Sequence, residues 1–148
     1  GIGQNVIAFA AAADEVLLVT TPEPSSIVDA YAMIKTIFQQ RDDALFRLII
    51  NQALNEQQGQ AVAQKIAHVA QQFLGRSLTY MGHVPRDPHV QQAVMQSQPF
   101  SLRFPNAPAT KCVQDIAARL LQQRTHSGDT KPSFFRRIAE NLGLASTA

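Results

Sequence analysis

The sequence predicts an α/β fold in which a parallel sheet lies between two layers of helices. Three short runs of apolar and β-branched residues, 16–20, 45–51 and 77–84, have the composition of buried strands. Each run is followed by a longer stretch with apolar residues at helical spacing. Because the connections are long enough to be helical, this alternation is typical of parallel sheets with helices on both faces.

The first strand, 16–20, is expected to organise the rest of the fold. Its unbroken row of apolar or β-branched residues predicts a strand at the centre of the fold, buried on both faces. Pro22 ends the strand because it cannot donate to a sheet ladder, and Pro24 suits a first helical turn. Ligands of open α/β sheets bind beyond the carboxyl ends of such strands, so residues 20–26 are expected to line a functional edge.

The remaining helices follow from alanine content, apolar spacing and capping residues. An alanine-rich segment, 6–13, predicts an opening helix, and residues 25–40, 55–74, 88–97 and 109–123 predict four more. Asn55 and Asp87 have the side chains of N-caps, and Gly75 predicts a helix end. The inward residues are expected to be Ile27, Ala30, Tyr31, Ile34 and Phe38 in the second helix, Val62, Ile66, Val69 and Phe73 in the third, and Val113, Ile116, Leu120 and Leu121 in the last. The proline-rich stretch 99–108 is expected to be a surface connection.

Composition limits the class of protein. With 148 residues, 45% of them hydrophobic, the chain can form one domain with a core, here expected to span residues 1–124. It has no secretion signal and no apolar run long enough to span a bilayer, so a cytoplasmic protein is expected. The single cysteine, Cys112, agrees with a reducing compartment, and the four histidines lack metal-ligand spacing, so no metal site is expected.

The C-terminal residues predict a tethered amphipathic helix. Residues 125–132 have the composition of a linker, and residues 133–144 are expected to form a helix with an apolar and a basic side. The residues expected to meet a membrane are Phe134, Phe135, Arg136, Arg137, Ile138 and Leu142. The surface of an anionic inner membrane is the favoured target, and docking on the chain's own domain or in a partner's groove are the alternatives. Adjacent phenylalanines beside the basic residues do not favour nucleic acid as a partner.

Three stretches together resemble a known family. They are residues 13–31 (ADEVLLVTTPEPSSIVDAY), Ile50 with Asn51, and residues 82–87 (GHVPRD). They are similar to segments of the MinD/ParA family of P-loop ATPases, and most of all to its flagellar-number regulators. The resemblance implies the C-terminal portion of a three-layer, SIMIBI-class P-loop NTPase fold. It also implies a protein that binds ATP or ADP with Mg²⁺, forms a homodimer, and associates reversibly with the inner membrane to regulate flagellar number or placement.

The family resemblance also assigns roles to individual residues. Asn51 resembles the asparagine that contacts the adenine edge, and Pro85, Arg86 and Asp87 resemble the loop that wraps the base, mostly through backbone groups. Without the family, Asn51 is a strand-end residue and Asp87 a helix cap. The resemblance also assigns roles to two acidic residues, Glu23 and Asp29, which resemble those of a dimer or partner face. Gly1 and Gly3 resemble the end of switch II.

The phosphate-binding part of such an ATPase is absent from these residues. No glycine-rich loop with a lysine occurs, and the magnesium-binding aspartates are expected upstream of Gly1. We therefore expect no catalytic residues in this chain, no hydrolysis by it alone, and an exposed apolar edge or face. The implied partners are a flagellar GTPase of the FlhF type or a flagellar transcription activator. The alternatives are a division-site or DNA-partitioning ATPase, and a non-enzymatic interaction module.

Overall fold

The computed structural model describes residues 3–124. Gly1, the predicted linker 125–132 and the predicted amphipathic helix 133–144 lie outside the described residues. Along the chain the elements are α1 (Gln4–Ala12), β1 (Glu15–Thr20), α2 (Pro24–Gln40), β2 (Leu45–Ala53), α3 (Glu56–Leu74), β3 (Thr79–Pro85), α4 (Pro88–Met95), α5 (Phe100–Arg103) and α6 (Pro108–Arg124). The predicted alternation of strands and helices is confirmed, and α5 is an addition within the stretch expected to be a connection.

The described strands form one parallel sheet in the order β1-β2-β3. Glu15 to Thr20 lie opposite Leu45 to Ile50, and β2 pairs with β3 along its other side. The predicted parallel sheet is therefore confirmed. Within residues 3–124, β2 lies in the middle of the sheet and β1 and β3 lie at its two edges.

Helices pack on both faces of the sheet, as predicted. On one face, Ile34 and Ile37 of α2 and Ile66 of α3 pack against Leu48 and Ile50 of β2. Each fully buried side chain of this size contributes about 1.5–3 kcal/mol through the area it removes from water. On the opposite face, a smaller cluster joins Ile116 of α6 to Ile49 and Met81, since neighbouring residues of a strand point to opposite faces.

One face of β1 is open in this chain. Leu17 and Val19 are 49% and 55% exposed, so the prediction that the strand is buried on both faces is wrong here. The reason is that the main cluster lies on the other face and α6 packs against β3, at the far side of the sheet. The predicted exposed apolar face is confirmed.

The predicted inner face of α3 is confirmed in part, because Ile66 lies in the main cluster and Val62 packs against it, whereas Phe73 is exposed. Phe73 is 67% exposed, whereas Gly59, Ala63, Ile66 and Ala70 are buried. A Cβ atom on Gly59 would lie 2.7 Å from the Cβ atom of His83 on β3. Near its start the helix therefore lies so close to β3 that only glycine fits at position 59, whereas Phe73 lies at the other end of the helix and is exposed. In α6, Leu121 is likewise exposed rather than inward.

The predicted start of α2 and the predicted capping residues of α3 are confirmed. The Asn55 side chain accepts a hydrogen bond from the backbone N–H of Gln58 at 2.9 Å, and Gln58 Oε1 accepts one from Leu54 N–H at 2.7 Å. Gly75 ends α3 with φ 65°, a left-handed conformation that favours glycine. Pro24 occupies the first turn of α2. Within residues 3–124, no helix combines the length and apolarity needed to traverse a bilayer.

Candidate functional site

Two β-bulges lie between β2 and β3. Leu48 pairs with Tyr80 and Ile49 with Gly82, so Met81 is an extra residue in β3. Gly82 follows with φ 139°, and a Cβ atom there would lie 3.2 Å from Ile116 Cγ1. The glycine therefore allows both the turn of the strand and the close approach of α6.

The second bulge lies at the carboxyl end of β2. Asn51 pairs with Val84 and Ala53 with Pro85, which leaves Gln52 as the extra residue. Gln52 has φ 56°, an uncommon value for a residue other than glycine. The backbone N–H of Arg86 donates to the Ala53 carbonyl at 3.0 Å and holds the loop after β3 against this bulge.

A cleft of about 600 Å³ opens where β2 and β3 end. Its walls are mainly apolar, and its polar side chains are few, as in small-molecule sites of this size. It is lined by Val19, Ile49, Asn51, Gln52, Val84, Pro85, Arg86, Asp87, Val90, Gln91, Val94, Phe100, Val113 and Ile116. The structure thus brings all four predicted base-binding residues to one cleft.

The Asn51 amide has a defined orientation. Its Oδ1 atom accepts a hydrogen bond from the backbone N–H of Gln52 at 2.9 Å. A backbone N–H can only meet the oxygen of an amide side chain, so the NH₂ end is the one that can donate to a ligand. This arrangement suits an acceptor atom such as a ring nitrogen of a purine.

The Asp87 carboxylate connects two helices instead of facing the cleft freely. Its Oδ1 atom accepts from the backbone N–H of His89 at 2.9 Å and lies 2.8 Å from His89 Nδ1, and its Oδ2 atom accepts from Ala109 N–H at 3.0 Å. The side chain is 3% exposed. Burial alone raises the pKa of Asp87, but the hydrogen bonds from Ala109 and His89 outweigh it, so the pKa lies below its ordinary value. Asp87 is therefore the cap of α4 and also holds the start of α6.

The other predicted positions are not in this cleft. Asp29 lines a second, more open hollow of about 390 Å³ beyond β1, which Asn51 also borders. Glu23 precedes α2 and makes no side-chain capping bond, and both carboxylates are exposed. Gly3 is the N-cap of α1. Within residues 3–124, no group of three or more His, Cys, Asp or Glu side chains could hold a metal ion.

Several lining residues were missed by sequence analysis. Gln52 was missed because nothing in the composition of β2 marks a bulge. Phe100 lies in the stretch expected to be a surface connection, although its bulk next to Pro99 was a usable signal for a buried contact. Val90 and Val94 recur at helical spacing after Asp87, and that spacing could have indicated a wall of the cleft.

Together, the fold and the cleft define an α/β protein built like part of a P-loop NTPase, with a cleft at the carboxyl edge of a parallel sheet. No family model matches the chain. It is 37% identical over 120 residues to the antiactivator FleN of Pseudomonas aeruginosa. The matched region covers 81% of this chain and 43% of FleN. It is 32% identical over 149 residues to the flagellum site-determining protein YlxH of Helicobacter pylori, and this match covers 97% of this chain and 50% of YlxH. An uncharacterized ATP-binding protein of Methanocaldococcus jannaschii is 31% identical over 146 residues, and this match covers 96% of this chain and 52% of that protein.

The chain is thus a MinD/ParA-like protein related to the flagellar-number regulator FlhG (FleN). The predicted family resemblance is confirmed. The chain spans about half the length of the curated relatives it matches, which fits the predicted C-terminal part.

Proposed function

We propose that this chain supplies the base-binding end of the nucleotide site in a MinD-like ATPase that regulates flagellar number or placement. The observation that carries the proposal is the position of Asn51, opposite Val84 and in one cleft with Pro85 and Arg86. The similarity to a protein named as ATP-binding supports the ligand, and the similarity to two flagellar proteins supports the process.

In this proposal the purine enters the cleft between the two strand ends. Val84 and Pro85 offer apolar contact to the base, and the Asn51 NH₂ group donates to a ring nitrogen. Asp87 acts indirectly, because its carboxylate is occupied by His89 and Ala109. The phosphate-binding loop and the Mg²⁺ ligands would come from residues outside this chain and would supply the phosphoryl-transfer chemistry.

Removing the Asn51 amide is expected to weaken nucleotide binding by the whole protein. Asn51→Ala removes the hydrogen bond that the Asn51 NH₂ group donates to the base, so the Kd for ATP and for ADP should rise about 5- to 100-fold. Isothermal titration calorimetry of the purified protein measures this change. Asn106→Ala, at an exposed asparagine after α5, is the matched control and should leave the Kd unchanged. Equal Kd values for Asn51→Ala and the unaltered protein would rule out this role of Asn51.

ATP-dependent dimerisation and partner binding are also part of the proposal. Glu23 and Asp29 are both exposed: Asp29 lines the hollow that Asn51 borders, and Glu23 is the N-cap of α2, which follows β1. Asp29 and Asn51 therefore border the same space at this edge of the sheet. This placement supports the assignment of Glu23 and Asp29 to a dimer face or to a surface for a flagellar regulator.

Reversible membrane association is proposed for residues 133–144. The apolar side chains of such a helix insert part-way into the lipid, and Lys131, Arg136 and Arg137 each add about 1 kcal/mol over an anionic surface. One copy binds weakly, so two copies in a dimer are expected to bind more tightly through effective concentration.

Deleting residues 131–148 should abolish co-sedimentation of the ATP-bound protein with vesicles that contain anionic lipid. The unaltered protein should sediment with these vesicles and much less with neutral ones, because the basic residues contribute. A shorter deletion, 145–148, leaves the amphipathic helix intact and serves as control. Undiminished sedimentation after the longer deletion would refute the membrane role of this segment.

A further inference from the structure

We infer that His89 and Thr110 are positioning residues of the nucleotide cleft. With Asp87, Phe104 and Ala109 they form a closed network of contacts, termed the corner network, which joins the starts of α4 and α6 to the end of α5. The inference rests on the proposed function, because ATP is the ligand whose affinity the network is expected to control. His89 and Thr110 do not line the cleft, so each acts through the helices that it holds.

The corner network is closed, so each side chain in it is held from two sides. Asp87 Oδ1 lies 2.8 Å from His89 Nδ1, and the imidazole packs against the Phe104 side chain at a centroid distance of 4.8 Å. The Thr110 hydroxyl donates to the Phe104 carbonyl at 2.8 Å. The Ala109 N–H donates to Asp87 Oδ2 at 3.0 Å and completes the circuit. Thr110 is fully buried, so water does not compete for its hydroxyl.

The helix α5 depends on contacts of this kind. It has four residues, Phe100–Arg103, and a single turn is too short to be stable by itself. Phe104 follows the last of them, and its N–H donates to the Phe100 carbonyl at 2.8 Å. The Phe104 carbonyl in turn accepts from the Thr110 hydroxyl and from the Ala107 N–H. The corner network therefore fixes the end of α5 against α4 and α6.

The three helices that the network joins form one wall of the cleft. Val90 and Val94 come from α4, Phe100 from α5, and Val113 and Ile116 from α6. Apolar contacts weaken steeply with distance, since a gap of about 0.5–1 Å removes a quarter to a half of their attraction. A wall that is already in place also avoids the cost of ordering it when the ligand binds. Release of α5 should therefore lower the affinity for ATP in a protein that remains folded.

The Thr110 hydroxyl can be removed with a matched control. Thr110→Val breaks the bond to Phe104, whose carbonyl keeps its partner Ala107, and Thr110→Ser retains a hydroxyl. Thr36→Val is the control, because the Thr36 hydroxyl donates to the Ala32 carbonyl at the same distance, 2.8 Å, but within α2, which does not line this cleft. The experiment measures the Kd for ATP by calorimetry in the whole protein, well below the unfolding temperature of each variant.

We expect Thr110→Val to raise the Kd for ATP about 5- to 10-fold, and Thr110→Ser and Thr36→Val to stay within about twofold of the unaltered protein. His89→Ala, at a side chain that is 45% exposed, should raise the Kd by a similar factor. The variant that combines His89→Ala with Thr110→Val should bind ATP within about twofold of the weaker single variant, because a closed network that is opened once has already released α5.

An unchanged Kd in folded Thr110→Val, or an equal rise in Thr110→Ser or Thr36→Val, would overturn the inference. Multiplied effects in the combined variant would do the same, since they would indicate independent contacts. If Thr110→Val does not fold, an unchanged Kd in His89→Ala would decide against the network.

Hydrogen exchange without nucleotide separates this inference from the proposed function. The Phe104 amide should exchange faster in Thr110→Val than in Thr36→Val, and equal exchange rates would reject the network. Failure of the unaltered protein to bind ATP would instead reject the proposed function.

Discussion

Asp87→Ala is expected to lower the free energy of unfolding by about 3 kcal/mol, since two helix starts lose their acceptor at once. The Asp87 carboxylate accepts from His89 N–H of α4 and from Ala109 N–H of α6, and it is almost fully buried. Alanine leaves both N–H groups without that partner in a site that solvent barely reaches. Urea denaturation followed by circular dichroism measures the loss.

A variant that removes one N-cap shows how much stability the loss of a single capping bond costs. Asn55→Ala removes one exposed N-cap, whose bond to Gln58 N–H measures 2.9 Å, and should cost about 1 kcal/mol. If Asp87→Ala cost no more than Asn55→Ala, the carboxylate would not be bridging α4 and α6 in solution.

The effect of Asp87 should also depend on pH. Its pKa is lower in the folded protein than its ordinary value of 3.8, so the ionised form stabilises the fold at neutral pH. The stabilisation is fully present above that ordinary value and is lost as pH falls through the lower folded pKa. The difference in unfolding free energy between the unaltered protein and Asp87→Asn should therefore shrink as pH falls below about 4.

Gly82→Ala is expected to destabilise the protein by about 3 kcal/mol, for two independent reasons. Its φ of 139° lies where residues with a side chain are strained, and the new Cβ would meet Ile116 Cγ1 at 3.2 Å. Because Ile116 also lines the cleft, pushing α6 away from β3 should weaken nucleotide binding as well. Thermal and urea unfolding measure the stability, and calorimetry the binding.

Gly75→Ala separates strain from crowding. Gly75 also has a positive φ, 65°, but nothing lies within 4 Å of an added Cβ. It should therefore cost about 1 kcal/mol, and nucleotide binding should be unaffected. Equal losses for Gly75→Ala and Gly82→Ala would mean that the contact with Ile116 is unimportant.

The sequence was sufficient to predict the elements, because local signals determine them. Proline after β1, glycine after α3 and the caps Asn55 and Asp87 act within a few residues, and each is confirmed. On the inner face of α3, Ile66 and Val62 were predicted correctly and Phe73 was not. The close approach of Gly59 to His83 was also not predictable, because it depends on where the sheet lies. Apolar spacing alone cannot show that alanines rather than Phe73 face the core.

The candidate site was predictable in part. The placement of Asn51 near residues 85–87 follows from the parallel order of the strands, whose carboxyl ends meet at one edge. The bulges at Met81 and Gln52 were not predictable, since they express a mismatch in length between β2 and β3 that only their pairing reveals. The engagement of the Asp87 carboxylate with α6 joins residues 22 positions apart and likewise needs the fold.

The order of the sheet also determines how it comes apart. Within residues 3–124, β2 is bonded on both sides and the edge strands β1 and β3 on one, so β1 should open more often than β2. In deuterated buffer, backbone amides of β1 are therefore expected to exchange earlier than those of β2. The two bulges lie between β2 and β3, next to the cleft. Exchange of the backbone amide protons around Asn51 should therefore become slower when a nucleotide occupies the cleft.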